Sequence, residues 1–211
     1  MRSLAAGWLL AFAAVALLVG CATPDKPVRA TLYDFGPGAT ASPPQAVQSL
    51  PPLMLADIEA SGALDGSSVL YRLGYADANQ LRPYAQARWS APPPRLVRQR
   101  LREQLARERP VLDLGESAAL ARTNGGMPRV LRIELEEFSH FFESQTQSWG
   151  LLRLRATLLE NTPSGEKLLA QRTLVVRQPA PSADAAGGVR ALAAATDAAA
   201  GEIGQWLLQT R

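Results

Sequence analysis

The sequence predicts an α+β sandwich made of a single domain, in which an antiparallel β-sheet is covered on one face by two α-helices. Alternating apolar and polar residues in the second half of the chain are typical of strands that bury one face. Turn residues separate neighbouring alternating segments, as they do in hairpins. Two longer segments, 90–110 and 188–209, repeat apolar residues every three or four positions, as an amphipathic helix does.

The first half of the predicted domain contains short strands. Residues 30–35 (ATLYDF) are interpreted as the first strand. Residues 36–52 hold five prolines and no charge, which predicts an extended connection without helix. Residues 53–66 begin as a strand and end in turn residues. Residues 68–75 have β-branched and aromatic character, and residues 84–89 are predicted to return beside them as a hairpin.

The first helix is predicted over residues 90–110. Prolines at its start suit a first helical turn, and Val97, Leu101 and Leu105 recur every four residues on one face. Pro110 then ends the helix. A short strand, VLDL, follows.

Three successive strands are predicted after this, the last of them returning beside the second as a hairpin. Residues 129–138 and 150–160 alternate, with leucines on one side and charged residues on the other. The turn NTPSGE leads into the returning strand at 167–177. After a loop rich in proline and alanine, the second helix is predicted over 188–209. Its apolar face is formed by Val189, Leu192, Thr196, Ala199, Ile203 and Trp206.

The N-terminus predicts export and lipid attachment. Arg2 is followed by an uncharged, mostly apolar stretch over 3–20, and Leu18-Val19-Gly20-Cys21 resembles the lipobox of bacterial lipoproteins. This resemblance implies a lipoprotein signal peptide at 1–20, a lipidated tether at 21–29 that begins with an acylated Cys21, and a domain at 30–211. The alternatives are an uncleaved membrane anchor and an incidental cysteine. Residues 22 and 23 are Ala and Thr, not the aspartate that marks inner-membrane retention in many enteric lipoproteins, and by this resemblance the expected location is the periplasmic face of the outer membrane.

The composition argues against several classes of function. The formal net charge of +3 is small, which does not suggest nucleic-acid binding. Cys21 is the only cysteine and His140 the only histidine, so we expect no metal site, no cofactor and no enzyme activity. His140 is interpreted as a surface residue at the edge of a loop. Glu134 and Glu136 share a strand face, where a carboxylate pair could form; a face that is solvated or paired with arginines is favoured.

Two groups of residues are candidates for contact with lipid or a partner. The first helix carries a local excess of arginine, including Arg95, Arg98 and Arg102; they could meet lipid head groups or an acidic partner, although a solvated helix face is favoured. Phe141 and Phe142 lie near a hairpin tip. They are expected either to be part of the core or to form an interface with another subunit or an acyl chain.

The order of these features resembles a known family, the ABC-type transport auxiliary lipoproteins. The resemblance rests on the lipobox, an early YDF, VLYRLGY followed by YAQARWSAPP, an arginine-rich helix, RIELEEF, a hairpin and a final helix ending in IGQWLL. The long proline-rich segment 36–52 departs from the family pattern, as does Leu174 at a position usually aromatic.

The resemblance implies a non-catalytic accessory of a transporter that moves phospholipid or other hydrophobic molecules between the inner and outer membranes. The implied partners are an Mce-domain protein, an ABC permease and an ATPase, together with membrane phospholipid and further copies of this chain. The alternative is a structural or assembly lipoprotein of another envelope machine, such as lipopolysaccharide assembly or a secretion pilot.

Overall fold

The computed structural model describes residues 29–38, 50–118 and 127–210. The predicted signal peptide, Cys21 and most of the predicted tether and proline-rich connection lie outside these residues. The described strands form one sheet of nine strands. Their bounds are β1 Thr31–Tyr33, β2 Leu53–Leu55, β3 Glu59–Ala60, β4 Ser68–Leu73, β5 Ala78–Trp89, β6 Val111–Leu112, β7 Arg129–Phe142, β8 Ser148–Thr162 and β9 Gly165–Pro179.

The sheet is mixed, so the predicted simple antiparallel sheet under two helices is wrong. Three neighbouring pairs are antiparallel: β4 with β5, β7 with β8, and β8 with β9. The remaining described pairings are parallel: β1 with β5, β2 with β6, and β2, β3 and β4 each with β7.

β7 is the strand on which this arrangement depends. One edge of β7 pairs with β8 along almost its whole length. Its other edge is shared by three short strands, which pair with residues 129–131, 134–135 and 140–142 in turn. All three run parallel to β7 because the chain advances along this edge in one direction, from the start of β7 to its end. The connection from β4 to β7 passes through β5, α1 and β6, and parallel neighbours require such a long connection, whereas hairpins join antiparallel strands directly.

Two long helices complete the domain. Helix α1 spans Pro93–Leu105 and helix α2 spans Ala185–Gln209. Proline occupies the first turn of α1, where a missing N–H costs little. Asp184 caps α2, since its side chain accepts a hydrogen bond of 2.7 Å from the Gly187 N–H. Shorter helical turns occur at Gly62–Leu64, Gly74–Asp77 and 114–118.

The core lies between α1, α2 and one face of the sheet. α2 contacts β7, β8, β9 and α1. The predicted inward positions of the first helix are buried, with Val97 and Leu101 fully inaccessible to solvent. The leucines and isoleucine of the first half of β7 are buried as well, which confirms the alternation expected there. Among the described helices, none has the length and apolar character needed to cross a membrane.

A register shift in β7 explains why the alternation changes along the strand. Leu131, Ile133 and Leu135 face the core, and the pairing with β8 then shifts between Leu135 and Glu137. Beyond this bulge the buried set continues at Phe138 and at alternate residues up to the end of the strand. A bulge inserts one extra residue on one strand, so the same face is kept although the sequence period is broken.

Candidate functional site

A groove of about 700 Å³ lies at the end of the sheet where β7 begins. It is formed by β2, α1, the helical turn at 114–118, the start of β7 and the β8–β9 hairpin. This volume falls within the range of about 300–1,000 Å³ that is usual for small-molecule sites. The lining residues are Met54, Leu55, Ala56, Asp57, Arg98, Asp113, Leu114, Gly115, Met127, Val130, Arg132, Asn161 and Glu166.

The apolar part of the groove combines buried and exposed side chains. Leu55 and Val130 are each 1% exposed and belong to the protein interior. Leu114 is 68% exposed and Met127 is 40% exposed, so both present apolar surface to solvent. The groove therefore offers an apolar surface that continues from the core to the outside.

A reciprocal pair of hydrogen bonds holds Leu114 in this exposed position. The Asp113 side chain accepts from the Glu116 N–H at 2.9 Å, and the Glu116 side chain accepts from the Asp113 N–H at 2.8 Å. This is the capping box of a helical turn that starts at Leu114. Arg102 on α1 pairs with Glu116 at 3.3 Å and ties the turn to the helix.

Four of the five charged residues that line the groove form ion pairs with one another. Arg98 donates to the carbonyl oxygens of Leu55 and Ala56 at 3.1 and 3.3 Å and lies 3.2 Å from an oxygen of Asp57. Arg132 on β7 bonds Glu166 on β9 at 2.7 Å, across the end of β8. Exposed ion pairs of this kind contribute about 0–1 kcal/mol each, so they shape the rim more than they stabilise the fold.

The structure brings two of the three predicted arginines to this site. Arg98 lines the groove and Arg102 supports its helical turn. Arg95 is exposed on α1, three residues before Arg98.

Phe141 and Phe142 lie at the other end of β7. At roughly 3.3 Å per residue, the twelve residues from Val130 to Phe142 separate them from the groove by about 40 Å. Phe142 is 8% exposed and packs on His140, with ring centroids 4.3 Å apart. Phe141 is partly buried, and its ring contacts Gly74 so closely that any side chain at that position would displace it.

His140 is buried, so its interpretation as a surface residue is wrong. It is 0% exposed, and its Nδ1 lies 2.8 Å from the Tyr84 hydroxyl. Its Nε2 has no hydrogen-bond partner among the described residues. Burial lowers the pKa of His140 to about 4, against a smaller opposing effect from the negative charge of Asp184. Burial, followed by the nearby Tyr71, raises the pKa of Tyr84 well above its usual range.

The sequence contained a signal for this burial. His140 is two residues from both Phe138 and Phe142, which is the spacing of one strand face. All three prove buried. The pair of His140 and Tyr84 has a neutral imidazole and a protonated phenol at neutral pH, an arrangement that stabilises the core.

The carboxylates of the exposed sheet face are paired with arginines. Glu136 bonds Arg153 at 2.9 Å and also Arg155, and Arg155 lies 3.3 Å from Glu134. Among the described residues, no group of three or more side chains of the histidine, cysteine or carboxylate type is arranged to hold a metal ion.

Sequence reasoning missed the role of Arg100, which joins the N-terminal segment to both helices. Arg100 is 6% exposed, its Nη1 lies 3.2 Å from an Asp197 oxygen, and its Nη2 donates to the Phe35 carbonyl oxygen. Its guanidinium also stands over the Phe35 ring, 5.9 Å from the centroid. Phe35 packs edge-on against Trp89, so residues 34–36 are fixed to the core. On the sequence, Arg100 was one of several similar arginines.

Solved structures support the fold. The crystal structure of protein XCC0632 from Xanthomonas campestris, of the DUF330 family, is 21% identical to this chain with a TM-score of 0.67, and the match covers 85% of this chain and 96% of that one. A crystal structure of an uncharacterized protein is 13% identical with a TM-score of 0.57, over 85% of this chain and 99% of the other. Both likenesses concern the fold alone. Among curated proteins, no significant sequence match was found.

The family comparison covers most of the domain. The model of the family described as "ABC-type transport auxiliary lipoprotein component" matches residues 33–204. This range includes all the described strands from β2 to β9, helix α1, most of helix α2 and the groove. The chain belongs to the ABC-type transport auxiliary lipoprotein family.

Proposed function

We propose that this chain is a membrane-anchored, non-catalytic accessory lipoprotein of an ABC/Mce-type transporter that moves phospholipid or other hydrophobic molecules between the inner and outer membranes. The observation that carries the proposal is the family match over residues 33–204. An insoluble cargo that crosses water needs an apolar surface to contact. The groove, with its exposed Leu114 and Met127, is the place in the described residues that fits this need.

The proposed anchor is the acylated Cys21. In this proposal residues 1–20 are removed, residues 21–29 form a lipidated tether and residues 30–211 form the domain. Each buried methylene of an acyl chain contributes about 0.8 kcal/mol to membrane attachment, and two or more chains make it stable. The domain is thereby held at the periplasmic face of the outer membrane.

The proposed partners are an Mce-domain protein, an ABC permease and an ATPase, with further copies of this chain. The accessory supplies no energy itself. In support of a non-catalytic role, the described partner of the sole histidine is a tyrosine whose pKa is raised, and no described serine or threonine hydroxyl bonds to His140. The imidazole therefore has no activated nucleophile beside it.

The proposal is tested with the substitution Cys21→Ser. Without the thiol no acyl chain is attached, so the protein should lose palmitate labelling and move from the membrane to the soluble fraction. The measurement is metabolic labelling with palmitate followed by fractionation of the cell envelope. Thr23→Ser is the control, since it changes a neighbouring side chain and leaves Cys21 in place. A Cys21→Ser protein that stays in the outer membrane contradicts the proposed anchor.

The partners are tested separately by purification of the wild-type protein under mild detergent. Mass spectrometry of the copurified proteins should identify an ABC permease, an ATPase and an Mce-domain protein. Recovery of components of lipopolysaccharide assembly or of a secretion system in their place would contradict the proposed transporter role.

A further inference from the structure

We infer that the groove binds the hydrocarbon chains of a lipid whose head group carries no net charge. The inference rests on the proposed transport function and deepens it, because it assigns the lipid contact to one place on the chain and one class of lipid. The place is the groove formed by β2, the helical turn at 114–118, the start of β7 and the β8–β9 hairpin.

The first argument is the apolar surface that the groove keeps exposed. Leu114 and Met127 are two of the large apolar side chains that the described domain leaves in solvent, at 68% and 40% exposure. They lie in the same groove as the buried Leu55 and Val130. A hydrocarbon chain laid there would remove both side chains from water, which is favourable in proportion to the apolar area buried.

The second argument is that this exposure is built by specific bonds. The mutual hydrogen bonds of Asp113 and Glu116 start the helical turn at Leu114, and Arg102 fixes that turn to α1. Leu114 is thus held at the groove by neighbours that are polar and well bonded. Met127 faces the same space with a flexible, polarisable side chain, which adapts to apolar ligands of different shape.

The third argument concerns the head group. The lining contains two arginines, Arg98 and Arg132, and three carboxylates, Asp57, Asp113 and Glu166. Both arginines already bond to carboxylate or carbonyl oxygens. A phosphate without a compensating positive group would meet a rim with an excess of negative charge. A net-neutral head group avoids this repulsion and remains in water at the rim.

The test uses photocrosslinking in living cells with the full-length, lipidated protein. Leu114 or Met127 is replaced by photoreactive benzoylphenylalanine, the cells are irradiated, and the lipid adducts are identified by mass spectrometry. Val175 is the matched control, because it is 57% exposed on β9 and does not line the groove. Adducts are expected at 114 and 127 and not at 175. No adducts at the groove, or equal adducts at all three positions, would overturn the inference.

The head group is read from the masses of the same adducts. The ratio of zwitterionic to anionic phospholipid should exceed that of the total membrane extract by at least about threefold, because the rim repels anions. A ratio equal to or below that of the extract contradicts the head-group part of the inference.

A double substitution, Leu114→Asp with Met127→Asp, gives an independent measurement. It should lower the lipid recovered per mole of purified protein at least about fivefold, since charged groups would replace the apolar contacts. Val175→Asp should leave the recovery unchanged, and an unchanged thermal melt of each variant confirms that it folds. Lipid recovery that does not fall in the double variant overturns the inference. If wild-type protein copurifies with the ABC subunits while its groove yields no lipid, the inference fails and the proposed function stands.

Discussion

At the scale of single residues, His140 is kept neutral by its position inside the domain. It is fully buried against Phe142 and beneath the first turn of α2, where Gly188 leaves room for the imidazole. Among the described residues, the imidazole forms a hydrogen bond only with the Tyr84 hydroxyl. Protonation of the imidazole would place a positive charge in the core, where Nε2 has no hydrogen-bond partner among the described residues, so burial lowers the pKa of His140.

The lowered pKa of His140 predicts a loss of stability in acid. The pKa falls from 6.5 in an exposed histidine to about 4 in the folded protein. Between these values the unfolded chain binds more protons, so the free energy of unfolding should decrease as the pH falls from about 6.5 to about 4. The decrease should approach about 1.4 kcal/mol per pH unit. Denaturant melts of wild type and His140→Gln at several pH values measure it, and the variant should lose this component. Identical pH profiles would contradict the assignment to His140.

Gly150 is the second residue whose identity the packing requires. It pairs with His140 across β7 and β8, and the backbone of α2 at Ala191 and Leu192 lies directly over it. Any side chain at this position would enter the helix backbone. The close approach of α2 to the sheet therefore depends on the absence of a side chain at Gly150.

We expect Gly150→Ala to destabilise the protein by about 1–3 kcal/mol, because the added methyl group forces α2 away from the sheet. Gly201→Ala is the control within α2, since its new methyl group would meet no atom within 4 Å. That control should stabilise the helix by about 0.5–1 kcal/mol. Urea denaturation of the two variants measures both effects. Equal stability of the two variants would contradict the packing argument.

At the scale of elements, β1 is a strand of three residues at the edge of the sheet. Among the described strands it pairs only with β5, and such a short pairing is weak by itself. The bonds that hold the following residues come from α1, through Arg100 and the carbonyl oxygen of Phe35. Arg100 also reaches Asp197 on α2, so one side chain joins three elements.

Arg100→Ala should therefore loosen β1 and lower the free energy of unfolding by about 2–4 kcal/mol, since Phe35 and Asp197 lose a buried partner. Hydrogen exchange followed by mass spectrometry should show faster exchange over 29–38 in this variant. Arg95→Ala, at an exposed arginine of the same helix, should change neither quantity. If residues 29–38 exchange their amide hydrogens at the same rate in Arg100→Ala as in the wild type, pairing with β5 is sufficient to keep β1 in place without this arginine.

The elements were predictable from sequence to the extent that their patterns are local. The alternation in β7 and β8, the four-residue repeat in α1 and the turn between β8 and β9 each lie within a short stretch and were predicted. Strand partners lie far apart in the sequence: the residues of β2, β3 and β4 pair with residues of β7 that are 69 to 76 positions away, and no local pattern encodes that choice. The bulge between Leu135 and Glu137 breaks the two-residue period of β7. The alternation before the bulge therefore does not predict that His140 is buried.

The candidate site escaped sequence reasoning for the same reason. Its lining comes from six separate parts of the chain, and most contribute one to four residues. Arg98 was singled out from its helix, whereas Leu114 and Met127 resemble ordinary loop residues until the fold places them together. Phe141 and Phe142 were singled out because aromatic residues cluster there in the sequence, and the cluster proves to pack around His140 and Gly74.

At the scale of the whole molecule, β7 separates two regions of different character. Its first residues border the groove, where apolar side chains and paired charges are open to solvent. Its last residues lie in the aromatic cluster around His140, which is closed by the start of α2. The family match spans both regions. β7 runs as one strand between the two regions and fixes their separation.

The contact of Arg100 with Phe35 has a mechanical consequence. A pull on the chain at Arg29 would load the short β1 strand first and the guanidinium next. Because Arg100 lies on α1 and bonds Asp197 on α2, the force would be shared by both helices. A force applied at the N-terminal end of the domain would thus be resisted by α1 and α2 as well as by β1, because Arg100 links all three.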